Sequence, residues 1–167
     1  MKPKIKKIQS SEKEIHEWFI KHKKTLAFAE SCTGGRLASL ICAMPGCSSY
    51  FLGSLVVYSN QFKKDFLQVQ EKTLKEKGAI SQESVEQMLE GVFAKTSTDY
   101  AIAVTGIAGP SGATCEKPVG TIWVALGERK RAKKVFCFIA TGKSRHARLT
   151  YAVKKILDEF YAYAILN

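Results

Sequence analysis

A short apolar segment near the N-terminus runs directly into a glycine-containing turn. Residues 25–29 (TLAFA) have the length and composition of a buried strand, and residues 30–35 (ESCTGG) make a polar turn. The segment that follows, RLASLICAM, has the composition of a helix. A strand, a tight turn and a helix in this order are typical of α/β proteins, in which helices cover the faces of a sheet.

The rest of the chain adds more helices. The predicted starting points are Ser11, residues 59–60, Ser81 and Ser144. Ser11 and Glu14 have the spacing of a capping box, in which each side chain bonds the backbone N–H of the other residue. Each of these starts therefore carries a local signal for the beginning of a helix.

Further strands alternate with these helices. They are residues 51–58 and 100–104, both interpreted as buried, and residues 121–126 and 133–139, joined as a hairpin. The predicted order is α-β-α-β-α-α-β-β-β-α. Because the hairpin contributes an antiparallel pair, the sequence predicts an α/β fold, a three-layer α/β/α sandwich with a mixed sheet.

Length and composition predict one globular domain. The chain has 167 residues, of which 46% are hydrophobic and 25% charged, and this excludes disordered, collagen-like and coiled-coil proteins. A single hydrophobic core fits this length. We expect one domain over residues 1–167, with its core at about residues 11–160.

The formal net charge is +11, and most of the basic excess lies at the two ends of the chain. Such a charge suggests an anionic substrate or a nucleic acid. The sequence lacks an RGG run, an RNA-recognition consensus and aromatic residues interleaved with arginine. We therefore interpret the excess mainly as solvated lysine on exposed faces, and we do not expect a nucleic-acid partner.

The sequence carries no export or metal signal. No segment approaches the roughly 18 apolar residues of a membrane span, and the N-terminus is too polar for a signal peptide. The cysteines are odd in number and lack both CxxC pairs and ordered Cys/His spacing. We expect a cytoplasmic protein with no membrane contact, metal or cofactor.

Three strand-end loops are expected to meet and form a site, because ligands of α/β folds bind where strands end at one edge of the sheet. They are residues 29–35, 58–63 and 104–112. The last loop is rich in glycine and suited to cradling an anion or a planar ring. It lacks the Walker-A lysine and does not match GxGxxG, so the sequence argues against ATPases and Rossmann enzymes.

The turn after the first strand offers a nucleophile. Ser31 and Cys32 stand at a strand-to-helix turn followed by Gly34 and Gly35, an arrangement that resembles a nucleophile elbow without its GxSxG pattern. The N–H groups at the start of the next helix would lie close enough to stabilise an oxyanion or bind a phosphate. The alternative is that Ser31 only caps the helix and the glycines only permit tight packing.

A serine nucleophile needs a base. The three histidines lie in basic segments without an obvious carboxylate partner, so a Ser-His-Asp triad is not indicated. A neutral lysine can serve instead where burial or nearby positive charge lowers its pKa, and Lys63 is the candidate. The alternative is that Lys63 and Lys64 are solvated surface residues.

Five segments together resemble the CinA C-terminal domain family, the nicotinamide-nucleotide amidases or NMN deamidases. They are AESCTGG (29–35), VVYSNQFKKDFL (56–67), TLKEKGAIS (73–81), DYAIAVTGIAGPSG (99–112) and EKPVGTIWVAL (116–126). The resemblance covers roughly residues 15–157, and the combination of AESCTGG with VTGIAGP is highly specific. The chain resembles the stand-alone short form of this family, whose members are also known as competence-damage proteins.

The resemblance implies hydrolysis of nicotinamide mononucleotide (NMN) to nicotinate mononucleotide and ammonia without a metal, a salvage step in NAD metabolism. It makes Ser31 the nucleophile and Lys63 the general base, with the hydroxyls of Tyr58 and Thr105 assisting. Its expected substrate-binding residues are Gly34, Gly35, Asn60, Gly106, Arg145 and Arg148. An acyl-enzyme on Ser31 would divide the hydrolysis of a stable amide into two easier steps.

One segment departs from the family pattern. The family carries Gly-Asp-Arg followed by Ile/Val-Arg at the start of the last helix, whereas residues 142–148 here read GKSRHAR. Arg148 keeps its distance from the glycine, but the first arginine is either shifted to position 145 or replaced. This leaves open a catalytically weak or inactive nucleotide-binding or regulatory protein. The aromatic C-terminal segment FYAYAIL suits either core packing or a homo-oligomer interface.

Overall fold

The computed structural model describes residues 10–166. The helices are α1 Ser11–His22, α2 Arg36–Cys42, α3 Asn60–Leu67, α4 Glu71–Glu76, α5 Gln82–Thr96 and α6 Arg145–Ile165. The strands are β1 Leu26–Glu30, β2 Phe51–Val56, β3 Tyr100–Gly106, β4 Thr121–Glu128 and β5 Lys134–Ile139, and a short 3₁₀ turn spans Cys47–Ser49.

The strands form one mixed sheet in the order β2-β1-β3-β4-β5. Strand β1 is parallel to both β2 and β3, whereas β4 is antiparallel to β3 and to β5. Glu30 is the last residue of β1, and it pairs with Val56 on one side and Val104 on the other. The carboxyl ends of three neighbouring strands therefore lie at one edge of the sheet, which confirms the predicted mixed sheet.

Helices cover both faces of this sheet. Leu26 and Phe28 of β1 pack against residues of α1, α2 and α6 on one face. Ala27 and Ala29 point to the opposite face and pack against residues of α3 and α5. Successive residues of a strand face opposite sides, so a strand buried on both sides has a continuous apolar sequence. The predicted three-layer sandwich is confirmed.

Strand β2 differs from the prediction. Residues 51–58 were expected to form a buried strand, but β2 ends at Val56 and lies at the edge of the sheet. The side chains of Leu52 and Val56 are 56% and 43% exposed. An apolar composition predicts a strand but not its position in the sheet, because strand order depends on contacts distant in sequence.

Two helix details also correct the prediction. Ser10, not Ser11, is the N-cap residue of α1 and makes no side-chain cap, while the Ser11 hydroxyl donates to Asp158 of α6. Helix α4 was not predicted, because a six-residue helix is marginal on its own. Gln87 of α5 anchors it by hydrogen bonds to Thr73 and to the N-cap residue Gln70.

Within residues 10–166, no helix is both long enough and apolar enough to cross a bilayer.

Candidate active site

A cavity of about 320 Å³ lies beside the carboxyl ends of β1 and β3. Residues from all three predicted loops line it, together with Ala79 and Ile80 from the segment before α5 and Arg145 from the start of α6. The loop residues in its wall are Ser31, Cys32, Tyr58, Asn60, Lys63, Thr105, Gly106, Ile107, Ala108, Gly109, Ser111 and Gly112. The tertiary structure thus brings the candidate nucleophile, the candidate base and the glycine-rich loop to one place.

Ser31 lies directly after β1 and is held by main-chain hydrogen bonds. Its N–H donates to the Val104 carbonyl over 3.0 Å, and its own carbonyl accepts from the Gly34 N–H over 3.1 Å. Gly34 and Gly35 then adopt φ values of 59° and 90°, in the left-handed region that glycine enters without steric cost. The two glycines let the chain turn from strand to helix while Ser31 faces the cavity.

Lys63 reaches Ser31 from helix α3. Its side chain is only 1% exposed, and its Nζ lies 2.9 Å from Ser31 Oγ. Nζ also donates to the carbonyl oxygens of Val57 and Tyr58, over 3.0 and 3.2 Å. Ser59 caps α3 by accepting the Phe62 N–H, which fixes the direction in which the helix leaves β2. Lys63 is therefore a buried residue and not the solvated lysine of the alternative interpretation.

Burial lowers the pKa of Lys63 to about 8, because removing the ammonium ion from water disfavours its charged form. A neutral amine has two N–H bonds and one lone pair. Lys63 Nζ lies within hydrogen-bond distance of the Val57 and Tyr58 carbonyls and of Ser31 Oγ. When the amine is neutral and its two N–H groups donate to the carbonyls, its lone pair is directed at Ser31 Oγ and can accept the serine proton. The surroundings of Nζ thus suit a general base near neutral pH.

Cys32 lies beside this pair but is not a comparable nucleophile. Burial raises the pKa of its thiol to about 12, so the thiol stays protonated at neutral pH. The thiolate is the reactive form of cysteine. The chemistry of the turn therefore favours Ser31.

Arg145 bridges two parts of the cavity wall. Its guanidinium donates to the Gly109 carbonyl over 2.8 Å and to the Tyr58 hydroxyl over 2.9 Å. The Tyr58 side chain is 60% exposed, while its carbonyl contacts Lys63 inside. The Tyr58 backbone thus contacts Lys63, and its hydroxyl contacts Arg145.

Thr105 and Gly106 lie where β3 ends. The Thr105 hydroxyl is buried and donates to the Ala79 carbonyl over 2.9 Å, which ties the segment before α5 to the sheet. With its proton engaged, this hydroxyl faces the cavity as an acceptor. Asn60, the first residue of α3, also lies in the cavity wall.

Three of the residues predicted to bind substrate lie outside the cavity wall: Gly34, Gly35 and Arg148. The Arg148 guanidinium donates to the carbonyls of Ala108 and Gly142, each over 2.8 Å. These bonds tie Ala108 of the glycine-rich loop to the start of α6. Of the two arginines, the geometry assigns cavity contact to Arg145.

The sequence interpretation missed the role of Glu30. Its carboxylate accepts the N–H groups of Gly35, Leu37 and Ala38 at the start of α2. The N–H groups that were expected to serve a phosphate or an oxyanion are therefore engaged by the protein itself. The available signal was an acidic residue at the end of an apolar strand, immediately before the turn.

None of the three histidines lies in the cavity wall. His16 contacts the Tyr50 hydroxyl, His22 the Trp18 carbonyl and His146 the Arg36 guanidinium. The described residues 10–166 also hold no cluster of three or more His, Cys, Asp or Glu side chains suited to a metal ion. Fold and site together define an α/β protein with a buried Ser–Lys pair in a cavity at the sheet edge.

The chain belongs to the CinA C-terminal domain family, whose model matches residues 8–163. CinA-like proteins of Thermotoga maritima and Endomicrobium trichonymphae are 53% identical over 108 residues and 46% identical over 130 residues. These matches cover 65% and 77% of this chain but 26% and 30% of the relatives. The chain thus spans about a quarter to a third of the length of these relatives.

Solved structures of the family have the same fold. The competence damage-inducible protein A of Klebsiella pneumoniae superposes with a TM-score of 0.86 at 31% identity, covering 92% of this chain and 96% of that one. The competence/damage inducible protein CihA of Agrobacterium tumefaciens gives 0.86 at 33% identity, covering 91% and 92%. The likeness extends over nearly the whole length of both chains.

Proposed function

We propose that this protein is an amidohydrolase that hydrolyses the carboxamide of NMN to nicotinate mononucleotide and ammonia, with Ser31 as nucleophile and Lys63 as base. The observation that carries the proposal is the 2.9 Å contact between Lys63 Nζ and Ser31 Oγ, with both N–H bonds of a neutral Nζ accepted by backbone carbonyls. In this arrangement the lysine lone pair points at the serine hydroxyl and can remove its proton.

Acylation begins when neutral Lys63 takes the proton of Ser31 Oγ as the oxygen attacks the carboxamide carbon. Negative charge then develops on the carbonyl oxygen, and the backbone N–H groups of Gly109, Ser111 or Gly112 in the cavity wall would bind it. Protonated Lys63 returns the proton to the leaving nitrogen. Ammonia departs, and the nicotinoyl group remains as an ester on Ser31.

The Thr105 hydroxyl is suited to bind the carboxamide nitrogen, which leaves as ammonia. Because its hydroxyl already donates to Ala79, it offers a lone pair to a ligand in the cavity. A carboxamide nitrogen carries two N–H donors, whereas a carboxylate product carries none. The contact would favour the amide substrate over the acid product.

Deacylation uses the same base. Neutral Lys63 takes a proton from water, the hydroxide adds to the ester carbon, and Ser31 Oγ leaves with the proton that Lys63 returns. Hydrolysis of an ester is easier than that of an amide, so the covalent route divides one high barrier into two lower ones. The positive charge of the pyridinium ring of NMN would also help to keep Lys63 neutral.

The size and charge of the site are compatible with a mononucleotide. A cavity of about 320 Å³ lies at the small end of the range for ligand sites. Arg145 stands in its wall, and the N–H groups not engaged by Tyr58 and Gly109 can bind a phosphate. We assign the phosphate to Arg145 rather than to Arg148.

A second function is supported by the same arginine. Arg145 already bridges Tyr58 and Gly109, and its position departs from the family pattern. If the shifted Arg145 holds the phosphate so that the carboxamide does not reach Ser31, the protein would bind a pyridine nucleotide without hydrolysing it and act as a non-catalytic nucleotide-binding protein.

The deciding experiment measures ammonia release from NMN by the purified protein, with Ser31→Ala and Lys63→Ala as controls. The proposal requires steady turnover by the native protein and loss of turnover in both variants. Nucleotide binding by calorimetry without any ammonia would select the non-catalytic function. Equal turnover in Ser31→Ala would remove Ser31 from the mechanism.

A further inference from the structure

The Glu30 side chain is fully buried, with 0% exposure, and its carboxylate accepts five hydrogen bonds. Three come from the backbone N–H groups at the start of α2. The other two come from the Thr33 hydroxyl, over 2.8 Å, and from the Ser54 hydroxyl of strand β2, over 2.9 Å. One carboxylate thus joins three segments: the turn after Ser31, helix α2 and the edge strand.

Glu30 is also linked through the main chain to Ser31 and to a hydrogen-bond partner of Lys63. It is bonded covalently to Ser31, and its carbonyl accepts the Val57 N–H over 2.8 Å. The Val57 carbonyl in turn accepts from Lys63 Nζ. Moving Glu30 would therefore displace Ser31 and one of the carbonyls that orient Lys63.

A cap alone does not require this residue. A local serine or asparagine caps a helix without burying a full charge. A buried carboxylate carries a large desolvation cost unless hydrogen bonds offset it. No salt bridge to Glu30 is found within residues 10–166, and the hydrogen-bond partners of its carboxylate are N–H and O–H donors. Such a set of donors fixes the carboxylate in one orientation.

We infer that Glu30 is a positioning residue for the Ser31–Lys63 dyad: its carboxylate holds the turn 31–35 and strand β2 in the one arrangement that keeps Oγ and Nζ in contact. Glu30 itself touches neither the nucleophile oxygen nor the base nitrogen, so it acts through them. The predicted effects on turnover rest on the proposed function, whereas the predicted geometry of Ser31 and Lys63 does not.

The first test uses Thr33, which contributes one hydroxyl to Glu30. Thr33→Val keeps the shape but removes the donor, whereas Thr33→Ser keeps the donor. We expect Thr33→Val to lower kcat for NMN about tenfold with little change in KM, and Thr33→Ser to restore it. Glu30→Gln should lower kcat by about 100-fold, since a displacement of about 1 Å costs that much. A lower melting temperature with unchanged kcat in Thr33→Val would reduce Glu30 to a stabilising residue.

The second test does not depend on amidase activity. In a Ser31→Cys variant, the rate of alkylation by iodoacetamide at position 31 is followed against pH by peptide mass spectrometry. Contact with Lys63 favours the thiolate and moves this profile to lower pH. Adding Thr33→Val or Glu30→Gln should shift the profile to higher pH, and adding Thr33→Ser should not.

The two tests separate the two proposals. Superimposable alkylation profiles with and without Thr33→Val would overturn the role of Glu30, whatever the amidase activity. A shifted profile in a protein that releases no ammonia from NMN would retain Glu30 as a positioning residue and reject the proposed reaction. If Glu30→Gln does not fold, the Thr33 pair decides the question.

Discussion

Lys63 Nζ and Ser31 Oγ are 2.9 Å apart although the two residues are 32 positions apart in the chain. Ser31 follows a central strand, and Lys63 lies one turn into a helix that leaves the neighbouring edge strand. Parallel pairing of β1 with β2 brings their carboxyl ends together, and the turns after both strands then meet. The contact between Ser31 and Lys63 therefore depends on β1 and β2 being neighbours in the sheet.

Removing the nucleophile should abolish turnover without abolishing binding. We expect Ser31→Ala to lower kcat for NMN by about 10⁴-fold or more, since loss of an activated serine costs at least that much in other serine hydrolases. Ligand affinity measured by calorimetry should change little. Cys32→Ala, the matched change one residue along, should retain most of the turnover because its thiol is protonated. The opposite ranking of the two variants would make Cys32 the nucleophile.

The activity should rise with pH. Because the pKa of Lys63 is about 8, kcat/KM should fall about tenfold per pH unit below that value and level off above it. Lys63→Arg should be inactive at every pH, since a guanidinium does not deprotonate in this range. Lys64→Arg, at the adjacent position, should keep the native profile. A flat native profile between pH 6 and pH 9 would exclude a titrating lysine base.

The same pKa predicts how stability depends on pH. The pKa of Lys63 falls from 10.5 to about 8 on folding, so between these values the unfolded chain binds more protons than the native one. The free energy of unfolding should therefore rise with pH in this window, with a slope of at most about 1.4 kcal/mol per pH unit from this group. Below pH 8 the penalty of burying the ammonium ion is fully present. Denaturant unfolding of the native protein and of Lys63→Met at several pH values measures the difference, and equal pH dependence of the two would contradict it.

Arg145 should matter only for substrates that carry a phosphate. We expect Arg145→Ala to raise KM for NMN about tenfold or more, because a charge-assisted phosphate contact is lost. The turnover of nicotinamide riboside, which lacks the phosphate, should be nearly the same in the variant and the native protein. If both substrates lose turnover equally, the arginine shapes the cavity through Tyr58 and Gly109 and does not bind phosphate.

Two glycines should differ in what they tolerate. A Cβ at Gly106 would lie 2.5 Å from the Thr121 carbonyl oxygen and 2.6 Å from Ile122 Cδ1, so Gly106→Ala should destabilise the fold by about 1–3 kcal/mol. A Cβ at Gly34 meets nothing within 4 Å, and its positive φ of 59° leaves only backbone strain of about 1 kcal/mol. Unfolding in denaturant measures both. A larger loss for Gly34→Ala would contradict this ranking.

The sequence carried enough information for the order of the strands and of every helix except α4. The alternation of short apolar runs with capped helical segments is local, and Ser59, Ser81 and Ser144 accept the hydrogen bonds expected of N-caps. It could not assign β2 to the edge of the sheet or detect α4. Both depend on neighbours far along the chain, which periodicity and propensity do not describe.

The sequence by itself determined which residue types were available for chemistry: a serine at a glycine turn, a lysine after the next strand and a glycine-rich loop. Only the tertiary structure decided what each does, because burial and neighbours set protonation and direction. Burial of Lys63 lowers its pKa, and its Nζ donates hydrogen bonds to two backbone carbonyls. Five hydrogen-bond donors from three segments hold the Glu30 carboxylate, a role that the sequence motif did not indicate. Electrostatics in a folded protein depend on distances that chain order does not contain.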